Sequence, residues 1–242
     1  MKTFKKINLF LFIIFYSTLY SQELETILLA KDDAQKLTKA YLNPSFKGLI
    51  FAMNNGWYHT AKVHEKFGFD ISIGANFTNI PSKKELFSIA ELGLSNNTTV
   101  INGATSSPTV AGSNSISPAQ FQYSTQIEGQ NVSANFSLNT YTIQAIASLN
   151  FPVLNVFGGI GYNGGDLRLN TLGNYTLNYN TSINGAPNVE ESITDPFSIK
   201  TNSGSMNATI GARVSLGFFK LYGSYSLQEY NTINAGIAFS FR

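Results

Sequence analysis

The two histidines are the residues of this sequence best suited to proton transfer or metal binding. His59 and His64 are close to each other and to Lys62, Glu65 and Asp70. Imidazole changes its charge near neutral pH and is a common metal ligand. However, helical zinc-binding pairs prefer a four-residue spacing, and no third ligand accompanies these two. We therefore predict that both histidines lie on the surface near one rim of the fold and that neither is catalytic or binds a metal.

Further charged residues occur in segments where apolar and polar residues alternate. They are Asp70, Asp166, Arg168 and Arg213. Successive side chains of a strand point to opposite faces, so these charges fall on polar faces. They could form an internal ion-pair network or select solutes in a pore. A barrel of about eight strands has an interior that side chains fill, which favours the ion-pair interpretation.

No combination of residues predicts an enzyme. The run Gly158-Gly159-Ile160-Gly161 has the composition of a phosphate-binding loop, but it lies inside a strand pattern and no helix follows it. No serine, histidine and acidic residue stand out as a hydrolase triad. We expect no catalytic residues, no metal and no cofactor.

The composition narrows the class of protein further. The chain has 242 residues, no cysteine and 12% charged residues, so disulfide and thiol chemistry are excluded. Its 16 basic residues include Lys2, Lys5 and Lys6, which leaves 13 basic against 14 acidic residues in the rest. That near-neutral balance gives no electrostatic basis for binding nucleic acid.

Residues 1–21 predict a secretory signal peptide. Three lysines precede the apolar run Ile7–Tyr16, and the small Ser21 offers a cleavage point before Gln22. A membrane-spanning helix needs about 20 residues, and this run is shorter. No later segment is long and apolar enough to span a membrane as a helix. We expect export from the cytoplasm, after which any insertion into a membrane must use strands.

The end of the chain has the clearest strand pattern. From Met206 to Phe218 the even positions are apolar, whereas the odd positions are polar, charged or glycine. Similar alternation occurs in Phe67–Thr78, Tyr141–Phe151, Val153–Tyr162, Phe219–Gln228 and Thr232–Phe241, and more weakly in Gly48–Met53 and Asp166–Tyr179. A continuous apolar strand face is typical of transmembrane barrels. We predict an all-β, antiparallel transmembrane barrel of about 8 strands (8–10) over residues 67–242, with long polar loops at 79–130 and 181–202. The alternative is a soluble β-sandwich.

Residues 22–66 predict a short N-terminal helix followed by a cap or plug. Apolar residues recur at helical spacing in Glu23–Asn43, and Pro44 is expected to end the helix. A turn signal at Asn54-Asn55-Gly56 follows. We expect this segment to occlude the lumen. The candidate lumen or ligand-binding residues are Trp57, Tyr58, Asp70, Arg168 and Arg213.

Several short motifs resemble one family of bacterial proteins. They are Asp33-Ala34, Leu37, Ala40-Tyr41, Pro44, Asn55-Gly56-Trp57-Tyr58, Ala61-Lys62, Gly68-Phe69-Asp70, Pro108-Thr109-Val110, Gly112, the run Phe157–Tyr162 and the segment Gly211–Arg242. Together they resemble an uncharacterised bacterial outer-membrane β-barrel family, known only as a domain of unknown function. Its architecture is loosely similar to that of long-chain fatty-acid transporter barrels. The chain is shorter than this resemblance implies between Pro108 and Tyr141, and no ligand residues carry over.

Two classes of function follow. The first is a small outer-membrane barrel that binds or passes a small apolar molecule, which the resemblance to the transporters implies. The alternative is a structural or adhesive surface barrel whose extracellular loops bind partners. In either case the expected partners are outer-membrane lipid and the barrel-assembly machinery, which would recognise the C-terminal strand. We expect an outer-membrane location after signal-peptide cleavage.

Overall fold

The structure of the chain is a computed structural model that describes residues 31–63, 68–96, 98–113, 115–123, 125–179, 189–195 and 197–241. The predicted signal peptide, residues 23–30 of the predicted helix and His64 lie outside these ranges. Within them, no helix has the length and hydrophobicity needed to cross a membrane. The described chain is mainly β, with one α-helix, α1 (Lys31–Met53).

Seven strands form one curled antiparallel sheet. They are β1 (Phe69–Thr78), β2 (Thr125–Asn150), β3 (Leu154–Tyr179), β4 (Val189–Thr194), β5 (Phe197–Leu216), β6 (Phe219–Leu227) and β7 (Thr232–Phe241). The order across the sheet is β1-β7-β6-β5-β3-β2, and β4 pairs with the far end of β3. The predicted antiparallel β architecture with an N-terminal helix is thus confirmed.

The connection between β1 and β2 contains short elements outside the main sheet. Leu86–Ser88 pairs with Ser106–Pro108, and Thr98–Val100 pairs with Phe121–Tyr123. Two 3-10 turns flank the first of these segments, Ser82–Lys84 before it and Ala90–Leu92 after it. This part of the predicted polar loop is therefore more structured than the sequence suggested.

The strands that come first and last in the chain, β1 and β7, pair with each other along their full lengths. Among the described residues β1 and β2 are the two edges of the sheet and do not pair. The sheet is consequently a half-barrel, and the predicted closure is not seen in it. It has fewer strands than the predicted eight because Gly48–Met53 is helical and Asp166–Tyr179 continues β3.

The convex face of the sheet carries an apolar band, which we define as the outward side chains of six segments. These are Phe69–Phe77, Tyr141–Leu149, Leu154–Tyr162, Met206–Leu216, Phe219–Leu227 and Ile233–Phe241. Ile143, Ile160 and Ile210 in the band are 72%, 67% and 65% exposed. The residues between them, such as Asn163 and Asn207, point to the concave face and are buried. The alternation predicted for these strands therefore describes their facing correctly.

Beyond the band, the strands reverse this polarity. In the distal ends, defined as Asp166–Tyr175 of β3 and Phe197–Thr201 of β5, the inward residues Leu167, Phe197 and Ile199 are buried. The outward Arg168 and Lys200 are exposed and lie opposite each other. The prediction of Val153–Tyr162 and Asp166–Tyr179 as two separate strands is wrong, because Gly164 and Gly165 between them continue the pairing of β3 with β2 and β5.

Helix α1 packs across the concave side against β1, β2, β3 and β5. Its buried residues include Leu37, Ile50 and Phe51. The prediction that it ends before Pro44 is wrong, since it continues for nine residues beyond the proline, to Met53. Proline removes one backbone donor from a helix, and the loss is tolerated here because packing, more than local propensity, stabilises most protein helices. Gly165 allows a close approach, since a Cβ there would lie 3.1 Å from Ile50 Cγ2.

Candidate functional site

The C-terminal end of α1 lies inside the concavity, where side chains satisfy its last carbonyl groups. Asn54 Nδ2 donates to Ile50 O (2.9 Å) and Asn55 Nδ2 to Phe51 O (2.6 Å). Asn76 of β1 donates to Ala52 O (2.9 Å). Helix ends leave such carbonyls without intrahelical partners, so the Asn54-Asn55 pair and a strand residue together form the cap.

Gly56 then turns the chain down into the concavity. Its φ of +82° lies in the left-handed region, and a Cβ at this position would lie 2.5 Å from Asn234 Nδ2. Both facts require glycine here. The turn signal at Asn54-Asn55-Gly56 is thus a helix end, and it brings Tyr58 and His59 inside the sheet.

A layer of uncharged polar side chains crosses the concave face below the helix. Thr142 Oγ1 donates to Asn163 Oδ1 (2.5 Å), Asn163 Nδ2 to Gln228 Oε1 (2.7 Å), and Gln228 Nε2 to Thr232 Oγ1 (3.0 Å). Asn54 joins the layer through Gly164 O (3.1 Å). Asn54, Asn163 and Thr232 are buried, whereas Thr142 and Gln228 are half-buried. Hydrogen bonds, and not apolar packing, therefore connect the strands at this level.

A charged cluster lies on the other side of this layer from α1. His59 Nδ1 is 3.1 Å from Arg213 Nη1, and His59 Nε2 is 3.5 Å from Asp70 Oδ2. Tyr222 stacks on the imidazole with 4.8 Å between ring centroids. His59 and Arg213 are each 9% exposed. The structure therefore brings Asp70 and Arg213 together on the concave face, as an internal ion-pair network requires.

The expectation that His59 lies on the surface is wrong. Its neighbours in sequence give no sign that Gly56 redirects the chain inward, and its buried partners Arg213 and Tyr222 are far away in sequence. The pattern of inward residues on β5 and β6 could have identified those two partners, but not the histidine.

Tyr58 also lies inside, against the wall formed by β3. Its ring packs edge-to-face on Phe157 with 5.7 Å between centroids. Gly159 provides the space, because a Cβ there would lie 2.6 Å from Tyr58 Oη. Tyr58 therefore occupies part of the concave side, next to Phe157 and Gly159.

The remaining candidate residues lie elsewhere. Trp57 is 72% exposed on the open side of the half-barrel, and its Nε1 donates to Met53 O (2.7 Å). Arg168 lies on the convex side of a distal end, with its Nε 3.7 Å from Asp166 Oδ2. Neither residue belongs to the buried cluster of His59, Asp70 and Arg213.

Two ionisable groups outside the band have perturbed pKa values. Burial alone would raise the pKa of Asp33, but hydrogen bonds from Ser95 and Thr98, helped by Lys36, lower it below 3.8 overall. Burial raises the pKa of Tyr230 to about 12, and the carboxylate of Glu229 adds to this effect. Tyr230 packs on Phe51 with 5.6 Å between ring centroids, so both groups hold α1 in place.

On the convex side, small residues create a groove of ≈ 450 Å³ within the apolar band. Ala145, Ala147, Gly158 and Ala208 form its floor, with Ile160, Ile210 and Leu227 around them. Its lining is almost entirely apolar. Within the described ranges, no group of three or more histidine, aspartate or glutamate residues could hold a metal ion.

These features define a β-rich protein whose half-barrel has a polar, occupied concave side and an apolar convex side. The chain belongs to a family of unknown function (DUF6588), whose model matches residues 1–131 and 116–241. This confirms the predicted membership of an uncharacterised family. No curated protein and no solved structure matches the chain.

Proposed function

We propose that this chain is an outer-membrane protein whose curled sheet lies in lipid, whose interior is occluded, and which binds a small apolar molecule. The observation that carries this proposal is the inverted polarity of the sheet. Ile143, Ile160 and Ile210 are exposed, while Asn163, Asn207 and Arg213 are buried. Lipid around the sheet would accommodate the first group, and the second would face the interior.

The dimensions of the apolar band support a membrane location. The outward apolar residues of β5 run from Met206 to Leu216, which is about ten steps of about 3.3 Å. A strand tilted by about 40° then covers about 25 Å of membrane thickness, the height of the apolar belt in outer-membrane barrels. Aromatic pairs lie at both borders: Tyr141 with Tyr162 at one, and Phe69 with Phe241 at the other.

A soluble β-sandwich fits this surface poorly. Soluble monomers rarely expose continuous apolar patches above a few hundred Å². The apolar band continues across all six long strands of this sheet, and its large side chains are mostly uncovered. In a soluble protein this apolar face would be exposed to water, which is unfavourable.

Binding is favoured over passage because the interior is occupied. Tyr58, His59 and the hydrogen-bonded layer around Asn163 fill the concave side. The convex groove is apolar, and it is open to whatever surrounds the band. An apolar molecule would therefore reach this groove from the membrane, without crossing the sheet.

The membrane location is tested by fractionation. We expect the protein in the outer-membrane fraction, resistant to urea washing and released only by detergent, with different gel mobility before and after heating. Recovery of folded protein from a detergent-free periplasmic extract would contradict the proposal.

The ligand proposal is tested separately with a photoactivatable palmitic acid incorporated into vesicles that contain the protein. We expect labelling to concentrate on Ala145, Ile160 and Ala208. Ala208→Leu, which fills the groove, should reduce it several-fold. Ala235→Leu is the matched control. Ala235 is also exposed on the convex face of the sheet, but it lies on β7 and does not line the groove. Equal labelling of the groove and the rest of the band would reject a specific site.

One observation favours the second candidate, a surface protein that binds partners. Strands β2 and β3 are each 26 residues long, so they extend well beyond the apolar band. Beyond the band, β3 carries the exposed Arg168, and β2 carries the exposed Ser137 opposite it. Exchanging these two for alanine should weaken adhesion of intact cells to a surface without changing membrane yield, if this function is the correct one.

A further inference from the structure

The edges of the half-barrel raise the question of what completes it. The unpaired edges belong to β1 and β2 among the described strands, and no other described backbone pairs with them. Within a lipid bilayer every backbone amide and carbonyl group must be hydrogen-bonded, and open sheet edges do not occur there. If the proposed membrane location holds, a further strand must pair with each edge.

The two edges have complementary directions. Six strands cross the apolar band, and every adjacent pair is antiparallel. In the order β1-β7-β6-β5-β3-β2, the strands at the two ends therefore run in opposite directions. A two-fold axis along the barrel would place β1 of each copy antiparallel to β2 of the other copy. This forms two equivalent junctions. The result is a closed barrel of twelve strands, within the range of known outer-membrane barrels.

Closure within one chain would leave too little room. About eight strands enclose just enough space for their own side chains, and only six of the described strands cross the apolar band. Its concave side also contains a segment of main chain. Asn76 of β1 donates to Asn55 O (3.0 Å), and Ala61 N donates to Ser148 Oγ of β2 (3.2 Å). The segment from Asn55 to Ala61 therefore occupies the concave side and contacts both edge strands, so a barrel closed by these six strands would also have to enclose it.

A second feature indicates what faces the open side. Leu49, Met53 and Trp57 recur every four residues and form one apolar stripe along the end of α1 and the turn after it. All three are exposed, at 38%, 44% and 72%, whereas Ile50 and Phe51 on the opposite side are buried. A two-fold partner would place the same stripe opposite and remove both from water.

From these observations we propose that two copies of this chain pair through β1 and β2 to form one twelve-stranded barrel, with their Leu49-Met53-Trp57 stripes in contact inside it. The register follows from the stagger of the strands. Partners followed from Ile73 through Ile237, Leu221, Val214 and Leu154 lead to Phe151 of β2, about six residues beyond Ala145. We take the shift of one residue per strand that a closed barrel of eight strands with a shear of eight shows, which is about six residues over six strands. Continued by one more strand, it places Ala145 opposite Ile73 of the partner.

Cysteine cross-linking tests this pairing, and the chain has no native cysteine to interfere. Ile73→Cys and Ala145→Cys are made in two differently tagged copies, co-expressed and oxidised in the membrane. We expect most of the protein to form a disulfide-linked dimer that carries both tags. The neighbouring pair Ile71→Cys and Ala147→Cys should give the same dimer. Ile237→Cys in place of Ile73→Cys is the control, because Ile237 lies opposite Ile73 on the same face but on an interior strand. It should give no link.

Two outcomes would overturn the proposal. The first is an intrachain link in the double variant Ile73→Cys/Ala145→Cys, with no dimer, which would show that one chain closes on itself. The second is a monomeric mass of the detergent-extracted protein by light scattering, with no link between tagged copies. Both leave the membrane location intact. Absence from the membrane fraction would instead reject that location and this inference with it.

Trp57 gives an independent readout because it is the only tryptophan of the chain. In the dimer we expect its fluorescence to be protected several-fold from acrylamide, compared with the dissociated chain. Met53→Glu should abolish this protection and reduce the cross-linked fraction, while membrane yield stays unchanged. Full acrylamide access to Trp57 in the extracted native protein would contradict contact between the stripes.

Discussion

The two ends of strand β5 have opposite chemistry on the same face. Its odd-numbered residues point inward from Phe197 to Arg213 without a change of phase. At the distal end these inward residues are Phe197, Ile199 and Thr201, packed as an ordinary protein core. Within the apolar band they are Asn207, Thr209 and Arg213, while the outward neighbours become apolar.

This difference shows that the facing of a strand and its hydrophobic pattern are separate properties. Strand geometry fixes which residues share a face, and the surroundings decide which face carries apolar groups. On β3 the outward residue Arg168 is exposed at the distal end, and Ile160 is exposed in the band. Water around the distal ends and lipid around the band would account for both with one continuous sheet. Substitutions in the distal ends and substitutions in the apolar band should therefore have different effects.

The largest expected effect concerns the ordinary core of the distal end. Leu167 is completely buried, so Leu167→Ala should lower the free energy of unfolding by about 2–5 kcal/mol. Ile160→Ala on the same strand removes a side chain that touches few protein atoms and should cost less than about 1 kcal/mol in lipid. Denaturant unfolding in lipid vesicles measures both, and similar losses would mean that Ile160 is part of a protein core.

The next effect concerns the apolar band. Ile210→Arg places a charge at the middle of the band, where outer-membrane barrels lose about 2–4 kcal/mol. Ser198→Arg is its matched control, because Ser198 is on the same face of the same strand at the distal end. We expect only the first change to reduce the folded, heat-modifiable fraction in membranes. Equal yields for the two variants would remove the distinction between band and distal end.

The facing of the strands could be predicted from sequence because alternation is a local property. The outward facing of the even residues from Met206 to Leu216 and the inward facing of Asp70 and Arg213 follow from it directly. The reversal at Leu167 cannot be found in this way, since glycine often marks a break in a strand pattern and Gly164-Gly165 precedes it. Only the pairing of both glycines with β2 and β5 shows that the strand continues.

The helix end and the site depend on contacts that are distant in sequence. The apolar run Gly48–Met53 has no feature that excludes a strand, and proline before it favours a boundary. Its helical state depends on Asn76 from β1 and on packing against Tyr230. His59 is buried for a similar reason, because Gly56 directs it toward partners on β5 and β6.

A smaller effect is expected from the polar layer inside the band. Asn163 donates to Gln228 Oε1 and accepts from Thr142, so Asn163→Leu removes both bonds. Gln228 Oε1 then loses the Asn163 donor, whereas Thr142 Oγ1 keeps its contact with Asn54 Oδ1 (3.2 Å). The cost should be about 1–3 kcal/mol in unfolding free energy, although leucine is more hydrophobic. Asn135→Leu on the exposed part of β2 is the control and should have little effect. A gain in stability for Asn163→Leu would show that the concave side prefers an apolar core.

The smallest effect concerns Asp33, which joins α1 to the loop before Thr98. Its carboxylate accepts hydrogen bonds from Ser95 N (3.0 Å), Ser95 Oγ (2.6 Å) and Thr98 Oγ1 (2.7 Å). Because these bonds lower the pKa of Asp33 below 3.8, the folded state binds its proton less readily than the unfolded state does. The stabilisation is therefore complete above pH 3.8 and disappears as the pH falls through the folded pKa.

Asp33→Asn keeps the shape of the side chain and removes its charge, so it isolates this contribution. At pH 7 we expect a loss of about 0.5–1.5 kcal/mol, the net value of one hydrogen bond. The gap between the two proteins should close as the pH falls below 3.8, because the native carboxyl group is then protonated as well. Denaturant midpoints of both proteins between pH 7 and pH 3 measure it. Asp32→Asn on the exposed side of the same turn is the control and should leave the pH dependence unchanged. A gap that stays constant over this range would show that the ionised form of Asp33 does not hold α1 to the loop.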